Sequence, residues 1–137
     1  MIVLDEQLLG YGLAETIRRW YRGAIVSVVD LRPGTVITDQ AIPVLLRTVN
    51  KPTFVTVNVH DFWRQLAPDL HFCLICIALP DKRVSELPEL LRRTLATEPF
   101  RTRRKRVGKI ARVSVQRIQY YTTDSWAVQE IRWDMQP

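Results

Sequence analysis

The chain has 137 residues, a mass of 16.0 kDa and a hydrophobic fraction of 47%, which suit one compact domain with an apolar core. No apolar run approaches the roughly 20 residues that a membrane helix needs. The sequence also has no signal-peptide pattern, so we expect a cytoplasmic protein that does not bind a membrane. Its formal net charge of +6 favours an acidic partner.

Four apolar segments of strand length alternate with helical patterns in the first part of the chain. The predicted strands are residues 1–4, 24–29, 52–58 and 72–79. The intervening helices are predicted at 13–20, from Thr38 or Asp39 through Leu46, and directly after residue 58. This alternation indicates an α/β fold with a mainly parallel sheet that is covered on both faces.

The remainder of the chain has a different pattern. Ser85 is predicted to cap a helix over 86–97, and from residue 109 apolar and polar residues alternate with the period of a strand. The alternation changes phase at Ile118, which suggests a bulge or bend. Residues 122–125 resemble a turn, after which 126–133 can return as an antiparallel strand. We therefore expect one domain, 1–137, with a core over 1–79 and a C-terminal helix and β-hairpin extension over 80–137.

Two cysteines lie three residues apart in one apolar run, at Cys73 and Cys76. Strand residues at this spacing point to opposite faces, so their sulfurs cannot meet each other or share a metal. We expect both to be buried free thiols.

Acidic and amide side chains follow the predicted strands. Asp5, Asp30, Asn58 and Asp61 come after strand segments, and Asp39 opens a helix that begins at the same edge. Sites in parallel sheets form beyond the carboxyl ends of the strands. Carboxylates there could hold Mg²⁺ or Mn²⁺, which would activate water for attack on a phosphodiester. Alternatively, they are helix caps and solvated turn residues, positions where Asp is also favoured.

Three motifs in order resemble those of PIN-domain ribonucleases. The segment "TVNVHDFW" (56–63) resembles their T-x-N-x-x-D-F motif, and "TDQAIPVLL" (38–46) resembles their D-x-x-I helix start. The segment "VLDE" (3–6) is similar to the opening strand that carries their first acid. Residues 1–79 as a whole resemble the short PIN-like proteins of prokaryotes, and the implied fold is a three-layer α/β/α arrangement.

The resemblance implies roles for individual residues. Asp5, Asp39 and Asp61 would bind Mg²⁺ or Mn²⁺, and Asn58 would position water or substrate. The implied activity is divalent-metal-dependent cleavage of RNA.

The family usually carries a further acid between its first motif and the helix start, and Glu6 or Asp30 could take that place. Many members are toxins of toxin–antitoxin pairs, which makes an antitoxin protein a natural partner. Two other functions stay open. The protein could be a non-catalytic RNA-binding module, or an interaction protein that forms a homodimer through the apolar hairpin Trp126–Trp133.

A basic run, "RTRRKRVGKIAR" at 101–112, has no Asp or Glu. It could be a solvated charged loop or a surface for RNA phosphates. Tyr120 and Tyr121 nearby could add a stacking surface for bases. The predicted RNA-binding residues are Arg101, Arg103, Arg104, Lys105 and Arg106.

Overall fold

A computed structural model describes residues 1–133, which form an α/β structure around one mixed sheet of seven strands. The strands are β1 (Ile2–Leu4), β2 (Ile25–Ser27), β3 (Thr53–Thr56), β4 (Cys73–Ile77), β5 (Lys109–Val113), β6 (Arg117–Thr122) and β7 (Gln129–Arg132). The α-helices are α1 (Leu13–Arg18), α2 (Val28–Leu31), α3 (Ile42–Leu46), α4 (Val59–Phe62), α5 (Leu87–Ala96) and α6 (Arg103–Arg106). No helix within these residues is long and apolar enough to cross a membrane.

The sheet order is β2-β1-β3-β4-β5-β6-β7. The pairings from β2 through β5 are parallel, whereas β5–β6 and β6–β7 are antiparallel. The chain passes from β1 to one neighbour, β2, and then crosses to the other neighbour, β3. Such a reversal of winding direction opens a crevice beyond the carboxyl ends of β1 and β3.

Each face of the sheet buries a separate apolar cluster. Ile2 and Leu4 of β1 pack into one cluster together with residues of α1 and α5, whereas Val3 packs into the other with residues of α3 and α4. Cys73 and Cys76 are free, buried and divided between the two clusters, so their predicted placement is confirmed. Burial raises the pKa of the Cys73 thiol to about 12.

The segment predicted as a strand over 24–29 is corrected by the structure, because β2 stops at Ser27 and residues 28–31 turn into helix. Ser27 and Asp30 form a capping box. Val29 N donates to Ser27 Oγ at 3.4 Å, and Ser27 N donates to Asp30 Oδ2 at 3.0 Å. These local hydrogen bonds end the strand despite its apolar sequence.

The C-terminal strands continue the main sheet, since β5 pairs in parallel with β4. Of the bulge or bend predicted after Arg117, the structure has a bend at residues 115–116, and β6 returns antiparallel to β5. Ser114 Oγ accepts hydrogen bonds from Gln116 N and Arg117 N, both at 3.3 Å. A second turn precedes β7, so the predicted antiparallel return is confirmed and the C-terminal part contains three strands.

Helix α5 matches the predicted amphipathic helix, with Leu87, Leu90 and Leu91 buried. Its cap differs from the prediction. A 3₁₀ helix over Asp81–Glu86 includes Ser85, and Glu86 occupies the N-cap of α5. The α5 face packs on the same side of the sheet as α1.

Candidate functional site

Asp5 lies directly after β1 and is only 6% exposed. Its backbone N donates to Val55 O at 3.0 Å, which ties it to the end of β3. Thr56 Oγ1 donates to Asp5 Oδ2 at 2.6 Å. Burial raises the pKa of Asp5, the charge of Glu6 adds to the rise, and hydrogen bonds from Thr56 and the Glu6 backbone offset part of it.

A short hydrogen-bonded chain continues from Asp5 along the end of β3. Thr56 Oγ1 accepts from Asn58 N at 2.9 Å, so one hydroxyl joins Asp5 to the next loop. Asn58 caps α4 by accepting from Asp61 N at 3.1 Å, and its Nδ2 donates to Asp61 Oδ2 at 2.7 Å. Thr56 was not among the predicted site residues, although it is the first residue of the segment "TVNVHDFW".

Asp39 begins a 3₁₀ helix over Asp39–Ala41 and lies near Asp5 and Asp61. The N-cap of that helix is Thr38, which makes no side-chain capping bond, so the predicted cap hydrogen bond is absent. The pKa of Asp39 is raised first by burial, then by the charge of Asp61 and by hydrogen bonding between these two carboxyl groups. The charges of Asp5 and Glu6 raise it further. These four residues, Asp5, Glu6, Asp39 and Asp61, are called the acidic cluster below.

An open depression of about 430 Å³ adjoins the acidic cluster. Its lining residues are Asp39, Gln40, His60, Asp61, Phe62, Gln65 and Leu66. Asp39 and Asp61 therefore face a space large enough for a hydrated cation and part of a substrate.

The acidic cluster has no basic partner in the part of the chain that the structure describes. None of the ion pairs found within residues 1–133 includes one of its four carboxylates. Mutual repulsion is therefore not balanced locally, even though the chain carries a net charge of +6. Such an arrangement favours binding of a cation.

A closed metal cage is not present among residues 1–133, where no group of three or more His, Cys, Asp or Glu side chains is arranged to hold an ion. The donor chemistry nevertheless fits a hydrated cation. Mg²⁺ is commonly held by one or two carboxylates and keeps several waters. Asp39 and Asp61 supply such a pair of carboxylates, and the buried Asp5 adds negative charge nearby.

The two alternatives for a further acid differ in position. Glu6 raises the pKa of both Asp5 and Asp39 and so lies within the acidic cluster. The Asp30 carboxylate is engaged in the capping box with Ser27. Glu6 is therefore the acid that the structure brings to the other three.

Residues 101–106 of the basic run lie at the opposite end of the strands from the acidic cluster. Arg106, the last residue of α6, donates from Nε to Thr53 Oγ1 at 3.1 Å, and Thr53 begins β3. It also donates from Nη1 to Phe100 O at 2.9 Å, and the residue is only 7% exposed. The prediction that Arg106 binds RNA is thereby corrected, because its guanidinium is committed to buried acceptors.

The other predicted RNA-binding residues are exposed. Arg101 and Lys105 form ion pairs with Glu98. Arg103 and Arg104 take part in none of the ion pairs found within the described residues. The two tyrosines that were expected to offer a stacking surface, Tyr120 and Tyr121, are both buried and cannot do so directly.

No protein-family model, curated protein or solved structure matches the chain. The function of the site is therefore inferred from its geometry and from the motifs in the sequence.

Proposed function

We propose that the protein is a divalent-metal-dependent endoribonuclease with a PIN-like, three-layer fold and a mainly parallel core sheet. The observation that carries this proposal is the acidic cluster without a basic partner in residues 1–133, located beyond β1 and β3 at the reversal of the sheet. Structural acids are normally paired or used as caps, whereas the charges of Asp61, Asp5 and Glu6 raise the pKa of Asp39 in this cluster.

Each residue has a distinct part in this proposal. Asp39 and Asp61 would hold a hydrated Mg²⁺ or Mn²⁺ at the depression, and Asp5 would strengthen the negative potential beside them. Thr56 holds the Asp5 carboxylate in place, and Asn58 fixes the Asp61 carboxylate through its Nδ2. The bound cation would supply activation of water and neutralisation of charge on the phosphodiester.

The exposed part of the basic run would supply RNA affinity in this proposal. This part lies at the opposite end of the strands from the acidic cluster and consists of Arg101, Arg103, Arg104 and Lys105. An RNA that contacts both sites must therefore extend along the full length of the strands. Contacts with phosphates supply most affinity that is independent of base sequence. We include the antitoxin partner and the cytoplasmic location in the same proposal.

A non-catalytic RNA-binding module is the second candidate function. It is favoured by one observation, the lack of a group of three metal-binding side chains in residues 1–133. In that case RNA would bind equally well with and without a chelator, and no cleavage would occur.

Replacement of Asp39 by Asn tests the proposed nuclease. Removing one charge relieves repulsion, so the metal-free variant should be as stable as the native protein or more stable by up to about 1 kcal/mol. The rise in melting temperature that Mn²⁺ gives the native protein should be lost, since a ligand stabilises only the state that binds it. RNA cleavage should be lost as well, and Asp5→Asn should weaken both the Mn²⁺ shift and cleavage, because it removes negative potential beside the ion.

Asp81→Asn is the matched control, because Asp81 is an exposed acid that follows β4 and does not perturb the pKa of Asp39. It should keep both the Mn²⁺ shift and cleavage. The measurements are melting curves with and without Mn²⁺ and an RNA cleavage assay on the same samples. A native protein that shows neither a Mn²⁺ shift nor cleavage would exclude the nuclease proposal.

A further inference from the structure

An aromatic group lies on the sheet face that carries α4. The ring centroids of Trp63 and Tyr121 are 5.2 Å apart, and those of Tyr121 and Trp126 are 5.8 Å apart. The Arg64 guanidinium carbon lies 4.7 Å from the Tyr121 ring centroid. Arg64 Nη1 also donates to Trp126 O at 2.6 Å. These four residues, Trp63, Arg64, Tyr121 and Trp126, are called the aromatic shelf below.

The shelf presents its outer members to solvent and buries its centre. Tyr121 is fully buried, whereas Trp126 is 51% exposed and Arg64 is exposed. Arg64 adopts a φ of 64°, a left-handed conformation that costs free energy for a residue with a Cβ. The hydrogen bond to Trp126 and the contact with Tyr121 hold the guanidinium in place despite this cost.

One hydrogen bond links the buried centre of the shelf to a residue that lines the depression beside the acidic cluster. Tyr121 donates its hydroxyl to Leu66 O at 2.9 Å, and Leu66 lines the depression together with Gln65. Asp39 and Asp61 line the same depression.

We propose that the aromatic shelf binds single-stranded RNA by stacking a base on Trp126, with Arg64 beside it. This inference rests on the proposed function for its ligand, and it adds a binding site: a surface on which an unpaired base can stack. Stacking on an aromatic ring tolerates any base, and an adjacent guanidinium strengthens it. RNA is favoured over a protein partner by the net charge of +6 and by the cation on the shelf.

Stacking rather than phosphate contact should dominate at this position. The loop 123–128, which carries Trp126, contains one exposed acid, Asp124, and no Lys or Arg. Loss of the Trp126 ring should therefore weaken RNA binding without changing its dependence on salt, unlike loss of phosphate contacts.

The test measures binding of a labelled oligoadenylate in EDTA, with an abasic oligonucleotide of the same length as a second probe. Trp126→Ala should weaken oligoadenylate binding about 5- to 100-fold and leave abasic binding and the salt slope unchanged. Trp126→Phe should retain most of the affinity, because it keeps an aromatic face. Val128→Ala is the matched control, since Val128 is an exposed apolar residue of the same loop.

Three results would overturn the proposal. The first is native affinity of Trp126→Ala for oligoadenylate, and the second is an equal loss on the abasic probe. The third is a change in the molar mass of Trp126→Ala in solution, measured by light scattering, while its RNA affinity stays native. That result would assign the shelf to a protein contact. Trp126→Phe keeps the test valid if the alanine variant melts without cooperativity. Because EDTA is present, RNA binding through the shelf can succeed even if metal-dependent cleavage fails.

Discussion

Two aspartates with little exposed surface have opposite electrostatic surroundings. Asp5 has a raised pKa, chiefly because burial disfavours its charge. Burial also opposes ionisation of Asp69, whose side chain is 15% exposed, but hydrogen bonds from His71 and Arg47 outweigh it and lower its pKa. His71 N and Arg47 Nε donate to the two Asp69 oxygens at 2.8 and 2.7 Å. Asp69 is thus satisfied as a structural acid, whereas Asp5 retains capacity for a cation.

Asp69→Asn should destabilise the protein in a way that depends on pH. The lowered pKa means that ionised Asp69 contributes stability above its unfolded pKa of about 3.9, and this contribution is lost as pH falls through the folded pKa. We expect the variant to be less stable at pH 7 by about 1–2 kcal/mol, and the difference to shrink below about pH 4. Urea unfolding at pH 7 and below about pH 4 measures this difference in stability.

Asp124→Asn is the comparison for this prediction, because Asp124 is exposed in a turn. It should have little effect at either pH. A difference between native protein and Asp69→Asn that stays constant down to pH 2 would contradict the assigned role.

Helix α6 divides its basic residues between the interior and the surface. Thr102 caps the helix by accepting from Lys105 N at 3.2 Å. Arg106, the last residue of this one-turn helix, lies against the start of β3, while Arg103 and Arg104 stay exposed. One basic run therefore contains a structural cation and two surface cations that are available to a polyanion.

Substitution within α6 should separate these two roles. Arg103→Gln with Arg104→Gln should weaken RNA binding and reduce its salt slope by up to about two, since each lost phosphate contact lowers the slope by about one. Arg106→Gln should leave the slope unchanged and destabilise the fold by about 1–3 kcal/mol, because buried acceptors lose their donor. The measurements are RNA affinity across a salt series and thermal melting. A native salt slope in the double variant would make these residues solvated charges only.

The strand pair β5–β6 shows why an element boundary was missed. The turn over residues 114–116 has the sequence Ser-Val-Gln, in which Ser114 is the single turn-favouring residue and a weaker signal than Gly, Pro, Asn or Asp. The change of phase at Ile118 was a correct signal of a break, but periodicity alone does not distinguish a bulge from a reversal of direction. The pairing of Val113 with Ile118 decides between them.

At the scale of the whole molecule, the C-terminal strands complete a sheet that the first four strands leave open. All five residues of β4 are buried, and β5 covers the edge of β4 that β3 does not. β7 is a different kind of strand, because most of its residues are exposed and it pairs with β6 at the end of the sheet.

Truncation should reveal this difference. A chain cut after Thr97 lacks β5, exposes the edge of an apolar strand and should aggregate. A chain cut after Asp124 loses only β7 from the sheet and should stay soluble with a lower melting temperature. Light scattering and thermal melting measure both outcomes. A fragment 1–97 that is soluble and melts cooperatively would show that β5 is dispensable.

The local sequence was sufficient to predict several features of this protein. The α/β class, the positions of β1, β3 and β4, and the burial of Cys73 and Cys76 on opposite faces all follow from apolar runs and the two-residue period of strands. The gathering of acids at one sheet edge was also predictable, because parallel strands end at the same edge. The apolar runs and strand periods involve residues close together in the chain, and the gathering of acids follows from the shared direction of the strands.

Tertiary structure alone decided the features that depend on distances through space. Thr56 joins Asp5 to Asn58 through its hydroxyl. Glu6 rather than Asp30 lies in the acidic cluster. Arg106 is buried against Thr53 and donates a hydrogen bond to it. Residues separated by about fifty positions meet at these points because the crossover connections and the order of strands bring them together. A periodic pattern determines which face of a segment is buried, but it contains no information on which distant side chain that face will meet.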